Sequence, residues 1–281
     1  MAQDYNDPSW AYNAIPRKKN NYPRKNEEFT NLPKMITDFI LDEKSKLRFD
    51  KNTRFILQGS CFAENLYSEL KEAGYPCFYN QVLEALNSPL ANMYYLMNLR
   101  SNKSDPIYLE IEKADVYILT IGVAPCWFSK ATGQFVFRPD VKNIAQYHQR
   151  TLSVQEATQA LLQVIKLIYE INAKIKIVLT LSPVPLRSTF EFESAIVADC
   201  VSKSVLRAAI HETLLACKQN RPIYFPSFEI VRWAGAHAGN AFGEDGMPTH
   251  VSASYVKQII ASFLSAGEKV GVAEAINTTG Q

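Results

Sequence analysis

The sequence is poor in cysteine, lacks long hydrophobic runs and carries no excess of either charge. Its five cysteines are an odd number with no CxxC pair and no regular spacing. That excludes a disulfide framework and a zinc ribbon, and it predicts free thiols in a reducing cytoplasm. No apolar run approaches the ~18–20 residues needed to cross a bilayer, and the first 30 residues lack the apolar stretch of a secretion signal. A cytoplasmic protein without membrane contact is therefore expected. Thirty Lys and Arg stand against 28 Asp and Glu, a net charge of +2, so the basic excess of a general nucleic-acid binder is missing. There is no GxGxxG and no GxxxxGK(S/T) block, which leaves a nucleotide site nothing to rest on, and no cofactor is expected. Internal repeats and low-complexity tracts are also missing.

What is present suffices for one compact domain. The chain has 281 residues, 47% of them hydrophobic and 21% charged. At this length folding buries about three quarters of the surface that the unfolded chain exposes, so no covalent staple is needed. Residues 1–50 are rich in Asn, Pro, Lys and aromatics and show no sustained periodicity; they read as an N-terminal arm, 51–267 as the domain and 268–281 as a tail. The bases Arg17, Lys18, Lys19, Arg24 and Lys25 are nearly cancelled by acids such as Asp4, Asp7, Glu27 and Glu28. The arm is thus expected to wrap the domain through Trp10, Tyr12 and Tyr22, with a phosphate or acidic partner as the alternative.

From residue 54 onward, short apolar runs alternate with amphipathic stretches. Strands are predicted at 54–58, 76–79, 115–121, 175–181 and 222–225, and helices at 61–73, 89–100, 153–171, 194–218 and 251–266. Strand runs that are almost wholly apolar, separated by helices, describe a five-stranded parallel sheet in a three-layer α/β/α sandwich. Ligands in such sheets bind beyond the carboxyl ends of the strands, which directs attention to the residues after Gln58, Tyr79, Ile121, Leu181 and Phe225.

Ser60 follows the first strand behind Gly59 and opens a helix. A hydroxyl there is exposed at the mouth of the sheet, and the helix start offers backbone N–H groups and a dipole that favours negative charge. Capping the helix is the ordinary role of a serine in that position. Cys61 is the rival nucleophile, since a thiolate at a helix start can have a lowered pKa; a small packed residue is the plainer reading. A serine needs a base, and the segment Asp245-Gly-Met-Pro-Thr-His250 supplies one in His250, with Asp245 as its acceptor and Glu244 in reserve. His237, Asp245 and His250 do not follow a usual metal-ligand spacing, so no metal is expected.

Gly59-Ser-Cys-Phe-Ala63 spells the motif of the GSCFA family, and Leu181–Leu186, Ser202–Arg207 and Tyr224–Glu229 look like further segments of it. The resemblance covers roughly residues 50–265, and the family in turn resembles the SGNH hydrolases. It implies a flavodoxin-like sheet, with Ser60 as nucleophile, His250 as base and Asp245 as its orienting partner. It also implies an oxyanion hole from the N–H groups of Ser60 and Gly122, with Asn87 as a side-chain donor. Two departures stand out. Four residues separate Asp245 from His250, where the superfamily usually has two, and Ala124 stands where an Asn is expected. Trp127, Cys126 and Arg187, after the third and fourth strands, are expected to shape the substrate pocket. The implied activity is that of a serine esterase or acyltransferase on an acetylated sugar, a lipid-like ester or a carrier-bound acyl group; a non-catalytic glycan- or peptide-binding module is the alternative.

Overall fold

The computed structural model describes residues 21–41, 47–59, 61–239 and 241–268. Ser60, the arm residues Trp10, Tyr12, Arg17, Lys18 and Lys19, and the tail beyond 268 lie outside them. The five predicted strands form one parallel sheet: β1 (Phe55–Gly59), β2 (Cys77–Gln81), β3 (Val116–Ile121), β7 (Lys176–Leu181) and β8 (Ile223–Phe225), in the order β2-β1-β3-β7-β8. This is the flavodoxin-like order, with its topological switch point between β1 and β3. Phe55 pairs with both Cys77 and Val116, and Val116 with Lys176, so β1, β2, β3 and β7 start nearly level and their carboxyl ends open on one side.

Side chains alternate across the sheet, as the strand period requires. Ile56, Tyr117, Leu119, Ile177 and Leu179 pack under α2 (Pro89–Ser101), α3 (Pro106–Lys113), α4 (Val154–Ile171) and α5 (Ala195–Ala216). Phe55, Leu57, Val116, Ile118 and Val178 face α1 (Cys61–Glu72) and α6 (Ala253–Glu268). The predicted helices are thus all present. Sequence periodicity passed over α3, which is only two turns long, and a small antiparallel sheet in the order β5-β4-β6, made of β4 (Pro125–Ser129), β5 (Phe135–Val136) and β6 (Tyr147–Thr151). Trp127, expected in the segment after the third strand, therefore lies on a strand of its own. The arm is also more ordered than its composition suggests. Leu32, Met35 and Ile36 occupy short helical turns and are buried in the α1–α6 core, with Ile36 fully inaccessible.

Two buried polar networks hold the loops at the sheet's carboxyl end. In the first, Gln58 Nε2 donates to Asn92 Oδ1 (2.5 Å), while its Oε1 accepts from Asn80 (2.8 Å) and the Tyr117 hydroxyl (2.6 Å). Asn92 in turn donates to Asn87 Oδ1 and to the Ser88 carbonyl. The second comes from α5, where Asp199, Ser202 and Lys203 share a face by their i, i+3, i+4 spacing. Lys203 Nζ donates to the Gly122 carbonyl (2.6 Å), Ser202 Oγ accepts from Ala124 N (2.9 Å), and Asp199 accepts from Leu186 N (3.0 Å) and pairs with Arg232 (2.7 Å). Loss of hydration pushes the buried Lys203 ammonium down to about 8, although Glu84 and Asp199 oppose the shift.

Two expectations follow. Ile36→Ala should destabilise the protein by ~2–5 kcal/mol, the usual cost of emptying a buried aliphatic site; denaturant unfolding that showed no loss would mean the arm is dispensable to the core. Lys203 titrates near 8 folded and near 10.5 unfolded. Between those values the unfolded chain keeps a proton the folded one has released, so wild-type stability should rise with pH relative to Lys203→Met and be level below about 8. Unfolding curves at paired pH values check this, and a flat difference across the window would contradict it.

Candidate active site

A cavity of about 610 Å³ opens at the carboxyl end of the sheet, within the ~300–1,000 Å³ range of small-molecule sites. Its lining comes from the segments that follow β1, β2, β3 and β7, together with the loop leading into α6. Much of the wall is apolar: Phe62, Val123, Pro125, Val184, Pro185 and Val256 contribute to it.

His250 and Asp245 both line the cavity, and His250 Nδ1 lies 2.8 Å from Asp245 Oδ2. The longer Asp-to-His spacing is taken up by two consecutive turns. Gly246 N donates to the Gly243 carbonyl, Asp245 Oδ1 accepts from Met247 N, and His250 N donates to the Met247 carbonyl. Gly246, at φ 81°, supplies the left-handed residue that the reversal needs. A bridge between Phe242 and Val251 closes the loop at its base. The hydrogen bond from Met247, and secondarily that from His250, holds the Asp245 carboxyl below its ordinary pKa. Glu244, the reserve acid, accepts instead from Ser254 N and so caps α6. With Nδ1 engaged, Nε2 is the ring atom left for chemistry. The pair is not deeply sequestered, since the Asp245 side chain is 54% exposed and that of His250 36%.

Ser60 itself lies outside the described residues; Gly59 and Cys61 lie within them. Gly59 ends β1 at φ 152°, and a Cβ there would come within 2.8 Å of Thr120 Cβ, so no larger residue fits. Cys61 begins α1, and Cys61, Phe62 and Asn65 line the cavity, which places the amino end of that helix at the site. Burial, and then the Glu84 carboxylate, push the Cys61 thiol up, with Arg187 a smaller opposing influence. The thiolate is disfavoured, so the rival nucleophile gains no support.

The expected oxyanion donors Gly122 and Asn87 are not brought into the cavity. Gly122 N donates to the Asn87 carbonyl (2.8 Å), and Asn87 Nδ2 to the Thr120 carbonyl (2.7 Å), with Asn87 fully buried. Both groups are spent on joining the loops after β2 and β3. Gly122 serves another end: a Cβ there would meet Glu84 Oε1 at 2.5 Å, so its bareness makes room for that carboxylate beside the cavity. Cys126 is a second correction. It is buried, its thiol donates to Ser88 Oγ, and desolvation pushes its pKa up to about 12; it does not line the cavity. Trp127 and Arg187 do. His237 stacks on Phe29 at 4.1 Å, away from His250, and no metal-binding cluster of three such side chains occurs among the described residues. No helix among them is long and apolar enough to cross a membrane.

Among the cavity residues that escaped the sequence reading are Asn65, Glu84, Gln149 and Phe190. Asn65 stands one helical turn after Cys61, a spacing that carries a weak signal. Gln149 and Phe190 reach the site only through the small sheet and the long loop after β7, which no local pattern announces.

Among solved structures, the chain is similar to a candidate GDSL-like lipase from Parabacteroides merdae, at 14% identity over 79% of this chain and 98% of that one, with a TM-score of 0.48. It is also similar to the salicylyl-acyltransferase SsfX3 from a tetracycline biosynthetic pathway, at 14% identity, 76% and 53% coverage and a TM-score of 0.44. A family 3 carbohydrate esterase from Clostridium thermocellum gives 13% identity, 80% and 99% coverage and a TM-score of 0.38. Likeness at this distance says nothing of chemistry. No curated protein matches the chain. The sequence pattern of the GSCFA family matches residues 94–263, a segment that starts after the Gly59–Ala63 block and contains Trp127, Arg187, Lys203, Asp245 and His250. With more than half of its length matched, the chain belongs to the GSCFA family.

Proposed function

We propose that this protein is an SGNH-type serine esterase or acyltransferase that acts through an acyl-serine intermediate. The observation that carries the reading is the 2.8 Å contact between His250 and Asp245 on the wall of a cavity that the first turn of α1 also lines. Ser60 precedes that turn in sequence and is the nucleophile. As its Oγ attacks the carbonyl carbon of an ester or thioester, Nε2 of His250 takes the hydroxyl proton. The bond to the leaving alcohol or thiol then breaks, and the imidazolium returns the proton to it. Water, an alcohol or an amine next attacks the acyl-serine, with the same nitrogen accepting its proton. Asp245 keeps Nδ1 protonated and steadies the imidazolium.

With Gly122 and Asn87 committed elsewhere, the oxyanion falls to the unpaired backbone N–H groups at the start of α1, and Asn65 can add a side-chain donor from the same helix. The commitment of those two donors also favours a second reading, in which the cavity binds a glycan or peptide without catalysis. The five unpaired thiols are consistent with a reducing compartment.

A fluorophosphonate probe and p-nitrophenyl acetate separate the two readings. Ser60→Ala should abolish labelling and lower turnover by roughly 10⁴-fold or more, His250→Ala should do nearly the same, and Cys61→Ala should still be labelled. Wild-type protein that neither labels nor turns over would favour the binding module. Asp245→Asn should reduce kcat by less than the roughly 10⁴-fold seen for a buried triad aspartate, because water already solvates much of this carboxylate. An unchanged kcat would remove Asp245 from the mechanism.

A further inference from the structure

The cavity wall opposite in character to the His250 loop is built by the small sheet and the loop after β7. Trp127 on β4 pairs directly with Gln149 on β6, so both side chains leave the sheet on one face, and both line the cavity. The loop after β7 is fastened to this sheet at two points. Phe190 N donates to Gln149 Oε1 (3.0 Å), and Thr151 donates through its N–H and hydroxyl to Glu191 (2.6 and 2.7 Å). These bonds hold the Phe190 ring 5.1 Å from Trp127 although Phe190 is 71% exposed. An aromatic ring left that open, yet fixed at its backbone, is a platform with a vacant face.

Two polar groups that line the cavity on this side, Gln149 and Arg187, offer donors. Since Gln149 Oε1 accepts the Phe190 N–H, its amide nitrogen is the end left over, and it has no acceptor among the described residues. Arg187 also lines the cavity, and its guanidinium has no ion pair or hydrogen bond among the described residues. Its charge is felt at the Cys61 thiol, at the amino end of α1. Three acids line the rest of the cavity: Asp245 bonds His250 and Met247, Glu244 bonds Ser254, and Glu84 stands beside Gly122. None of these acids is ion-paired with Arg187, whose N–H groups are left to a ligand.

From this wall we infer a substrate subsite for a flat ring that carries a carboxylate: the ring lies on Trp127 and Phe190, and the carboxylate meets the Arg187 guanidinium and the Gln149 amide. A planar guanidinium suits a carboxylate by its paired N–H groups. The inference deepens the acyl-transfer reading and rests on it for the claim that this group belongs to a substrate. The preferred esters would then bear an aryl carboxylate.

Binding and turnover test the two layers separately. In calorimetry on full-length Ser60→Ala protein, benzoate should bind roughly 10- to 10²-fold more tightly than neutral benzamide, the scale of a hydrogen bond to a charged group. Arg187→Gln should erase that ratio, Gln149→Leu should reduce it, and Phe190→Ala should weaken both ligands alike. Benzamide binding as well as benzoate, neither binding, or an unchanged ratio in Arg187→Gln would overturn the subsite. On wild-type protein, kcat/KM for the 4-nitrophenyl monoester of terephthalate should exceed that for 4-nitrophenyl benzoate by a similar factor, and Arg187→Gln should level the two. Selective benzoate binding without any turnover would retain the subsite and remove the acyl-transfer reading; turnover without charge selectivity would do the reverse.

Discussion

The structure depends on how backbone polar groups are satisfied where the parallel strands end. Loops there leave the sheet's ladder while still packed under helices, and a buried amide or carbonyl without a partner costs as much as a lost hydrogen bond. Here the debt is met by side chains from elsewhere in the fold. Lys203 and Ser202 of α5 take the Gly122 carbonyl and the Ala124 amide, Asp199 takes the Leu186 amide, and Asn87 links the loop after β2 to that after β3. Each bond that lowers the energy of a loop also fixes a wall of the cavity, so stability and site geometry have one origin.

The same economy explains why Gly122 and Asn87 do not offer the oxyanion donors that the family resemblance implies. A donor can be given to an oxyanion only if the fold does not need it, and Gly122 N–H is needed to join two loops. A helix start is the ordinary source of such donors, since its first N–H groups have no partner within the helix, and the proposed reaction draws on the amino end of α1 for that reason. Lys203 shows the cost of the arrangement. Its amine is fully desolvated behind the site and is depressed to about 8 for that reason, a penalty accepted for a short bond to the Gly122 carbonyl.

Electrostatically the cavity has two unlike sides. The loop before α6 brings acids and an imidazole whose charges are mutually engaged. The small sheet and the loop after β7 bring a guanidinium and an amide nitrogen, both without partners among the described residues, and two aromatic rings. Between them the wall is aliphatic, which strengthens any polar contact made inside by keeping the local dielectric low. The small sheet lies between β3 and α4 in the chain, so the five-stranded frame carries the His250 loop while the small sheet and the loop after β7 carry the aromatic wall.

Much of this was legible in the chain itself. Apolar runs such as those at 116–121 and 177–181 leave a strand no option but burial on both faces, and the helical spacing between them forces parallel connections; strand positions and fold class follow from local pattern. Residue type and place single out Ser60, Asp245 and His250 as candidates, and the resemblance to the GSCFA family supplies the roles of nucleophile, acceptor and base. Only the tertiary structure decided that Asp245 rather than Glu244 meets the imidazole, that Asn87, Gly122 and Cys126 are spent in the interior, and that Gln149, Phe190 and Glu84 reach the cavity. The choice between the two acids is local, but the other outcomes turn on which groups compete for the same partner across 38 to 81 residues of chain, and a competition of that range leaves no trace in the spacing of neighbouring residues.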